Sequence, residues 1–152
     1  MGLLTNKTVI VTGAGGNVGR AYCRGFLDMG ANVVAADLND ISAETQGWDH
    51  ADRLLVVTAN ILDQADCDAM ARAAVDRFGR IDGLLNNAGF FKSATFGSFL
   101  DIPAAEWDLC YQVNVKGSWQ CIKAVHGQMK AQGQGSIVNV SSNTPYKGVP
   151  NF

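Results

Sequence analysis

Runs of apolar, β-branched residues alternate along the chain with stretches whose apolar positions recur every three or four residues. The first run, Lys7 to Thr12, carries Val9, Ile10 and Val11 in succession rather than in alternation with polar residues, so it reads as a strand buried on both faces. From Val18 to Met29 the residues Val18, Tyr22, Cys23, Phe26, Leu27 and Met29 mark one face of a helix, and Gly30 stops it. The cycle then repeats. Asn32 to Asp37 is a second strand, Ile41 to Asp52 is short and polar, and Arg53 to Ala59 is a third strand. Asp63 is placed to cap a helix over Gln64 to Phe78, in which Cys67, Met70, Ala71, Ala74, Val75 and Phe78 share a face that ends at Gly79. Ile81 to Leu85 gives a fourth strand, Phe90 to Pro103 has no period and reads as a loop, Ala104 to Gln132 is one long helical pattern, and Ser136 to Val140 is a fifth strand of the buried type.

Strands alternating with helices of this length predict an α/β fold: a Rossmann-like, doubly wound parallel sheet with right-handed crossovers and helices on both faces, residues 1–152 forming one domain. No internal repeat or low-complexity segment interrupts it.

Composition narrows the partners. At 152 residues, 47% apolar and 17% charged, the chain has ordinary globular proportions. A net charge of -2 without any Lys/Arg cluster argues against nucleic acid. No apolar run approaches the roughly 20 residues that span a bilayer, and the first residues lack the layout of a secretory signal, so no membrane partner and a cytoplasmic location are expected. Cys23, Cys67, Cys110 and Cys121 show no C-x-x-C spacing and read as free, mostly buried thiols, while His50 and His126 stand alone, so no metal site is expected.

The chemistry concentrates where the first strand breaks into Thr12-Gly13-Ala14-Gly15-Gly16-Asn17-Val18-Gly19. Residues without a Cβ let a diphosphate approach the backbone, and the helix that follows turns its unpaired N–H groups and positive dipole end toward that charge. Asp37 ends the second strand, the position from which a carboxylate accepts hydrogen bonds from the ribose hydroxyls of an adenine dinucleotide and repels a 2′-phosphate. That favours NAD over NADP.

Taken in order, these motifs resemble the short-chain dehydrogenase/reductase family from the first strand to the last residue. The resemblance implies that Thr12 to Gly19 forms the cofactor loop, that Asp37 selects NAD with Leu38 next to it among the cofactor-binding residues, and that Asn60 and Ile61 lie beside the adenine. Asn86-Asn87-Ala88-Gly89 matches the family's N-N-A-G, so Asn87, Ala88 and Gly89 are expected near the cofactor ribose. Asn114 falls on the helix asparagine of the catalytic set, and Ser142, after Ile137-Val138-Asn139-Val140-Ser141, falls on the catalytic serine. Asn17 stands where the compact branch of the family writes a glycine and is expected to tolerate the left-handed conformation there. The implied activity is hydride transfer between the nicotinamide of NAD and a small-molecule secondary alcohol or ketone, in a homodimer or homotetramer formed through the long helix. The family's Tyr-x-x-x-Lys pair would follow Ser142 by about a dozen residues, so the chain to Phe152 is expected to be the N-terminal three-fifths of a member, inactive alone and lacking its last strands. Two other readings stay open: a non-catalytic nucleotide-binding module, and an epimerase-like enzyme on nucleotide sugars, which the T-G-x-x-G-x-x-G spacing suggests. Phe90, Phe91, Phe96 and Phe99 either line an apolar pocket or pack the loop among themselves.

Overall fold

The computed structural model describes residues 2–91, 94–95 and 97–148. In chain order the elements are β1 (Thr8–Thr12), α1 (Asn17–Asp28), β2 (Asn32–Asp37), the short α2 (Ser42–Thr45), β3 (Leu54–Thr58), α3 (Gln64–Phe78), β4 (Gly83–Asn86), α4 (Ala104–Tyr111), α5 (Ser118–Gln132), β5 (Ser136–Asn139) and α6 (Thr144–Lys147). The strands form one sheet in the order β3-β2-β1-β4-β5, and every neighbouring pair is parallel. All five strands therefore end on the same edge. The sheet is Rossmann-like, with helices on both faces.

Alternation within each strand sends neighbouring side chains to opposite layers. Ile10, Val34 and Leu84 face α3 and α5 and pack with Met70, Ala74, Cys121 and Val125. Val9, Val11, Val33 and Ala35 face α1, where Cys23 and Leu27 are buried with Ile41 and Trp48. The continuous apolar letters of β1 are thus used by both layers. Helix ends follow the expected chemistry: the Asp63 carboxylate accepts the Ala65 N–H at the start of α3, and Gly79 ends it with φ +76. The Arg53 guanidinium donates to the Leu27 and Ala31 carbonyls and so satisfies the C-terminal end of α1.

Two expectations are revised. The fourth strand begins at Gly83 rather than Ile81, because the Ile81 N–H and C=O are both taken by the Gln132 side-chain amide, at 3.0 and 2.8 Å. The long helix does not run in one register: residues Gln112–Gly117 form a π-helical turn between α4 and α5. As expected for a sheet lacking its last strands, β5 has the letters of a buried strand and lies at the edge, where Val138 is 55% exposed and a groove of about 450 Å³ opens beside Leu4, Phe26 and Leu85. Among the described residues no helix is long and apolar enough to cross a membrane.

The N-terminal ends of the strands are joined by charge. The Asp82 carboxylate accepts hydrogen bonds from Lys7 Nζ at 3.0 Å, the Thr8 N–H at 3.0 Å and the Arg80 guanidinium at 2.6 Å. Partial burial alone would raise the Asp82 carboxyl, but the bonds from Arg80, Thr8 and Lys7 outweigh it and hold the group at about 2, against 3.8 for an unperturbed aspartate. As pH falls the unfolded chain takes up this proton first. The carboxylate therefore stabilises the fold fully above about pH 4 and ceases to do so as pH falls to about 2. Asp82→Asn is expected to lower stability at neutral pH by about 2 kcal/mol and to flatten the acid limb of the profile. Urea unfolding between pH 7 and pH 2 measures both, and an unchanged acid limb contradicts the assignment.

Candidate functional site

The C-terminal edge of the sheet gathers the predicted residues. At the end of β1 the chain turns through Gly13, whose φ is +64, and a Cβ there would stand 2.7 Å from the Ala88 Cα. Only glycine permits both the turn and this approach. The N-cap of α1 is Gly16, which offers no side-chain acceptor, so the first N–H groups of α1 remain for an anion. Asn17 is the first residue of α1 and Val18 the second, so the expectation of a left-handed Asn17 is corrected: among the described non-glycine residues only Asn6 and His50 have positive φ. Gly19 lies within the first turn, over the Gly13 carbonyl.

Thr12 is 1% exposed, so its side chain binds the edge together instead of facing a ligand. Its hydroxyl accepts the N–H groups of Asn87 and Ala88, each at 3.1 Å, and donates to the Leu85 carbonyl at 3.4 Å. The Asn87 amide returns the link, donating to the Thr12 and Gly13 carbonyls at 3.0 and 3.2 Å. The β1 and β4 loops are one unit.

Asp37, at the end of β2, accepts the Gly15 N–H on Oδ2 at 2.9 Å and the Asn39 N–H on Oδ1 at 3.1 Å. Its carboxylate is thereby fixed against the glycine turn, with the exposed Leu38 beside it. After β3, the Asn60 N–H donates to Asp66 and its side-chain oxygen accepts the Leu62 N–H. The Ile61 side chain packs where a Cβ on Gly117 would stand, 2.5 Å from its Cδ1. Asp66 and Gly117 were not singled out from the sequence. Their signals were present, an acid in the first turn of a helix and a glycine inside a helical pattern.

Asn114 lies in the π-helical turn and is exposed. Its Oδ1 accepts the Phe90 N–H at 2.8 Å, and its Nδ2 lies 3.3 Å from Cys110 Sγ and 3.5 Å from the Phe90 carbonyl. This places it against Gly89. Ser142 follows β5 at the same edge, where its hydroxyl accepts the Thr144 N–H at 3.1 Å and pairs with the Thr144 hydroxyl at 2.6 Å. Asn86 joins the two regions, donating to Asn139 Oδ1 at 2.9 Å and to the Ser118 carbonyl at 3.4 Å. Asn139 was missed in the sequence, although an amide inside a β-branched run must find a partner. A cavity of about 690 Å³ opens between α4 and the loop before it, lined by Phe90, Phe91, Phe99, Ile102 and Trp107 and ending at Asn114. Phe96 lies outside the described residues.

A bare turn against β4, an uncapped helix start and a carboxylate at the end of β2 are a donor and acceptor set that fits a dinucleotide: backbone N–H for the diphosphate and carboxylate for a ribose. Comparison with known proteins agrees. A family model described as short chain dehydrogenase matches residues 7–152. The hydroxy(phenyl)methylsuccinyl-CoA dehydrogenase subunit BbsD of Thauera aromatica is 35% identical over 91% of this chain and 56% of its own. Oxidoreductase UcpA of Escherichia coli is 38% identical over 95% of this chain and 54% of its own. A crystal structure of 3-ketoacyl-(acyl-carrier-protein) reductase from Brucella melitensis complexed with NADH superposes with a TM-score of 0.88 at 33% identity, covering 97% of this chain and 62% of that one. The chain spans about half the length of these curated relatives.

The Thr12 hydroxyl gives a direct test of the edge. Thr12→Val keeps the shape but removes the acceptor for two backbone N–H groups, and is expected to cost about 2 kcal/mol or more in denaturant unfolding. Thr12→Ser is expected to retain most of the stability. Equal stability of the two variants would show that the hydroxyl carries no weight.

Proposed function

The chain belongs to the short-chain dehydrogenase family, and from that premise we propose that it is the nucleotide-binding part of an NAD(H)-dependent oxidoreductase acting on a secondary alcohol or ketone. The observation that carries this reading is the Asp37 carboxylate held on the Gly15 N–H, beside a turn that meets Ala88 without a side chain between them. We assign residues 1–152 to one dinucleotide-binding domain. The diphosphate lies over Gly13, Gly15, Gly16 and Gly19 and the first N–H groups of α1 at Asn17 and Val18, and Asp37 holds the adenosine ribose with Leu38 beside the adenine. Asn60 and Ile61 flank the adenine from β3, while Asn87, Ala88 and Gly89 meet the second ribose. Thr12 acts through the loops it joins.

When bound, the nicotinamide supplies the hydride acceptor or donor. Ser142 is assigned to orient the substrate oxygen by a hydrogen bond, which requires its hydroxyl to exchange Thr144 for substrate. Asn114 is assigned to hold a water for proton relay while its side chain stays on the Phe90 backbone. The cavity ending at Asn114 suits an apolar substituent of the substrate. General acid–base work by tyrosine and lysine is not assigned, because no Tyr-x-x-x-Lys occurs in these 152 residues. The epimerase-like reading, which rests on the T-G-x-x-G-x-x-G spacing alone, stands second, since the family model that matches residues 7–152 is described as short chain dehydrogenase. We further assign the exposed Tyr111, Val115 and Trp119 of the long helical segment to contact with a second copy.

Calorimetry with NADH tests the reading. Binding is expected for the whole protein and for residues 1–152, and turnover of secondary alcohols only for the former; absence of binding by the whole protein contradicts the proposal. Asp37→Ala in the whole protein is expected to shift the ratio of kcat/KM for NAD over NADP toward NADP by about tenfold or more, as removal of a single charge repulsion of about 1.4 kcal/mol would do. Trp119→Glu is expected to lower the oligomeric state measured by light scattering, and an unchanged mass removes that face from the interface.

A further inference from the structure

Two of the four thiols meet in the core. Cys67, in the first turn of α3, and Cys121, in the first turn of α5, lie with their Sγ atoms 3.9 Å apart, and both are fully buried. Cys23 is buried under α1 on the other side of the sheet, and Cys110 lies beside Asn114. The pair joins two helices that are distant in sequence and packed along the same sheet face. Its surroundings are more polar than the rest of that layer. Cys67 Sγ lies 3.6 Å from the Ile61 carbonyl, the Gln64 amide donates to the Gln120 carbonyl, and the side-chain oxygens of Gln64 and Gln120 are buried with no partner among the described residues.

We propose that Cys67 and Cys121 are a dithiol–disulfide couple, a reversible covalent cross-link site between α3 and α5 whose oxidant is hydrogen peroxide. Closing the bond requires the sulfurs to approach from 3.9 Å to about 2.05 Å, which side-chain rotation and a small helix shift provide. In the first step the Cys67 thiolate attacks one peroxide oxygen, the O–O bond breaks, and the leaving hydroxide takes up a proton as water. Cys121 sulfur then attacks the resulting sulfenyl sulfur, the S–O bond breaks, and a second water departs. The two thiols lose two electrons and two protons, and the peroxide is reduced to two waters. The hydrogen bond between the two sulfurs lowers the Cys67 thiol, against burial and the nearby Asp68, Asp66 and Asp63 carboxylates, while the same bond and then burial raise Cys121. Access comes from the helix end: the Cys67 N–H bonds the Asp63 carbonyl, in the opening turn of α3, and helix termini open at a small fraction of the global unfolding free energy. Cys23 has no such outlet, and burial pushes its thiol up to about 12.

The cross-link draws Cys67 away from the Ile61 carbonyl and fastens the start of α3 to the start of α5. It is read by mass without any assumption about the cofactor. The whole folded protein is treated with hydrogen peroxide, blocked with N-ethylmaleimide and digested with trypsin. The expected product joins the peptide of residues 54–72 to that of residues 117–123, two hydrogens lighter than the sum, and dithiothreitol separates them. Cys67→Ser and Cys121→Ser are each expected to abolish it, the remaining cysteine being recovered as sulfenic acid or alkylated thiol. Hydrogen exchange of residues 60–70 is expected to slow at least threefold on oxidation of the wild-type protein. Recovery of both thiols alkylated after peroxide treatment, a link to Cys23 or Cys110 instead, or a 67–121 link that forms only in denaturant would each overturn the proposal.

Discussion

The hydroxyl of Thr12 sets the position of everything at the C-terminal edge of the sheet. It is buried, and its partners come from a strand far along the sequence: the N–H groups of Asn87 and Ala88 and the carbonyl of Leu85. A buried hydrogen bond contributes only about 1 kcal/mol net, but a buried N–H left without one costs about 1–3 kcal/mol, so the arrangement is held mainly by the penalty for losing it. With the Asn87 amide reaching back to the Thr12 and Gly13 carbonyls, the glycine turn and the N-N-A-G loop have fixed relative positions. A ligand that fits the turn meets a surface already in place, and little ordering cost is left to its binding.

The long helix extends this constraint across the edge. A π-helical turn widens the ring and shifts the face presented by the following residues. Before it, α4 lines the cavity with Glu106 and Trp107; after it, α5 turns Cys121 and Val125 onto the sheet. The turn itself is pinned at two points, by Asn114 on the Phe90 backbone and by Gly117 under Ile61. The segment bearing Asn114 is thus referred to the ends of β3 and β4 together, which explains why an irregular helix serves where a regular one would not.

How much of this was legible in the sequence differs element by element. Strands and helices announced themselves because β-branched runs and helical spacing reflect burial on two faces or on one, and Asp63 and Gly79 marked the ends of α3 by capping chemistry that needs no distant partner. The start of β4 was not legible, since Ile81 is claimed by the side chain of Gln132, a partner that local pattern cannot reveal. β5 was legible: its letters state what it can bury, and its place at the edge was expected of a sheet lacking its last strands. At the site, the order of the glycine turn, Asp37, N-N-A-G, Asn114 and Ser142 pointed to one edge of one sheet, because parallel strands must end together. The roles of Asp66, Gly117 and Asn139 rest on contacts between segments, and a glycine or asparagine in a sequence does not say what approaches it.

The two ends of the strands have divided their tasks. At the N-terminal end, Asp82 gathers Lys7, Arg80 and the Thr8 backbone into a charged clamp, and no predicted site residue lies there. At the C-terminal end the side-chain links among β1, β4 and β5 are neutral amides and hydroxyls. Asn86 and Asn139 are register partners, and their side chains are bonded at 2.9 Å. A slip of one residue between β4 and β5 would turn one amide to the opposite face and part the buried Asn86 side chain from Asn139, leaving it the Ser118 carbonyl. The pair therefore ties the strand that leads to Ser142 to its neighbour without a charge. The carboxylate at this edge is Asp37, held on the Gly15 N–H at the glycine turn, and under the proposed function it is the group that would discriminate between cofactors.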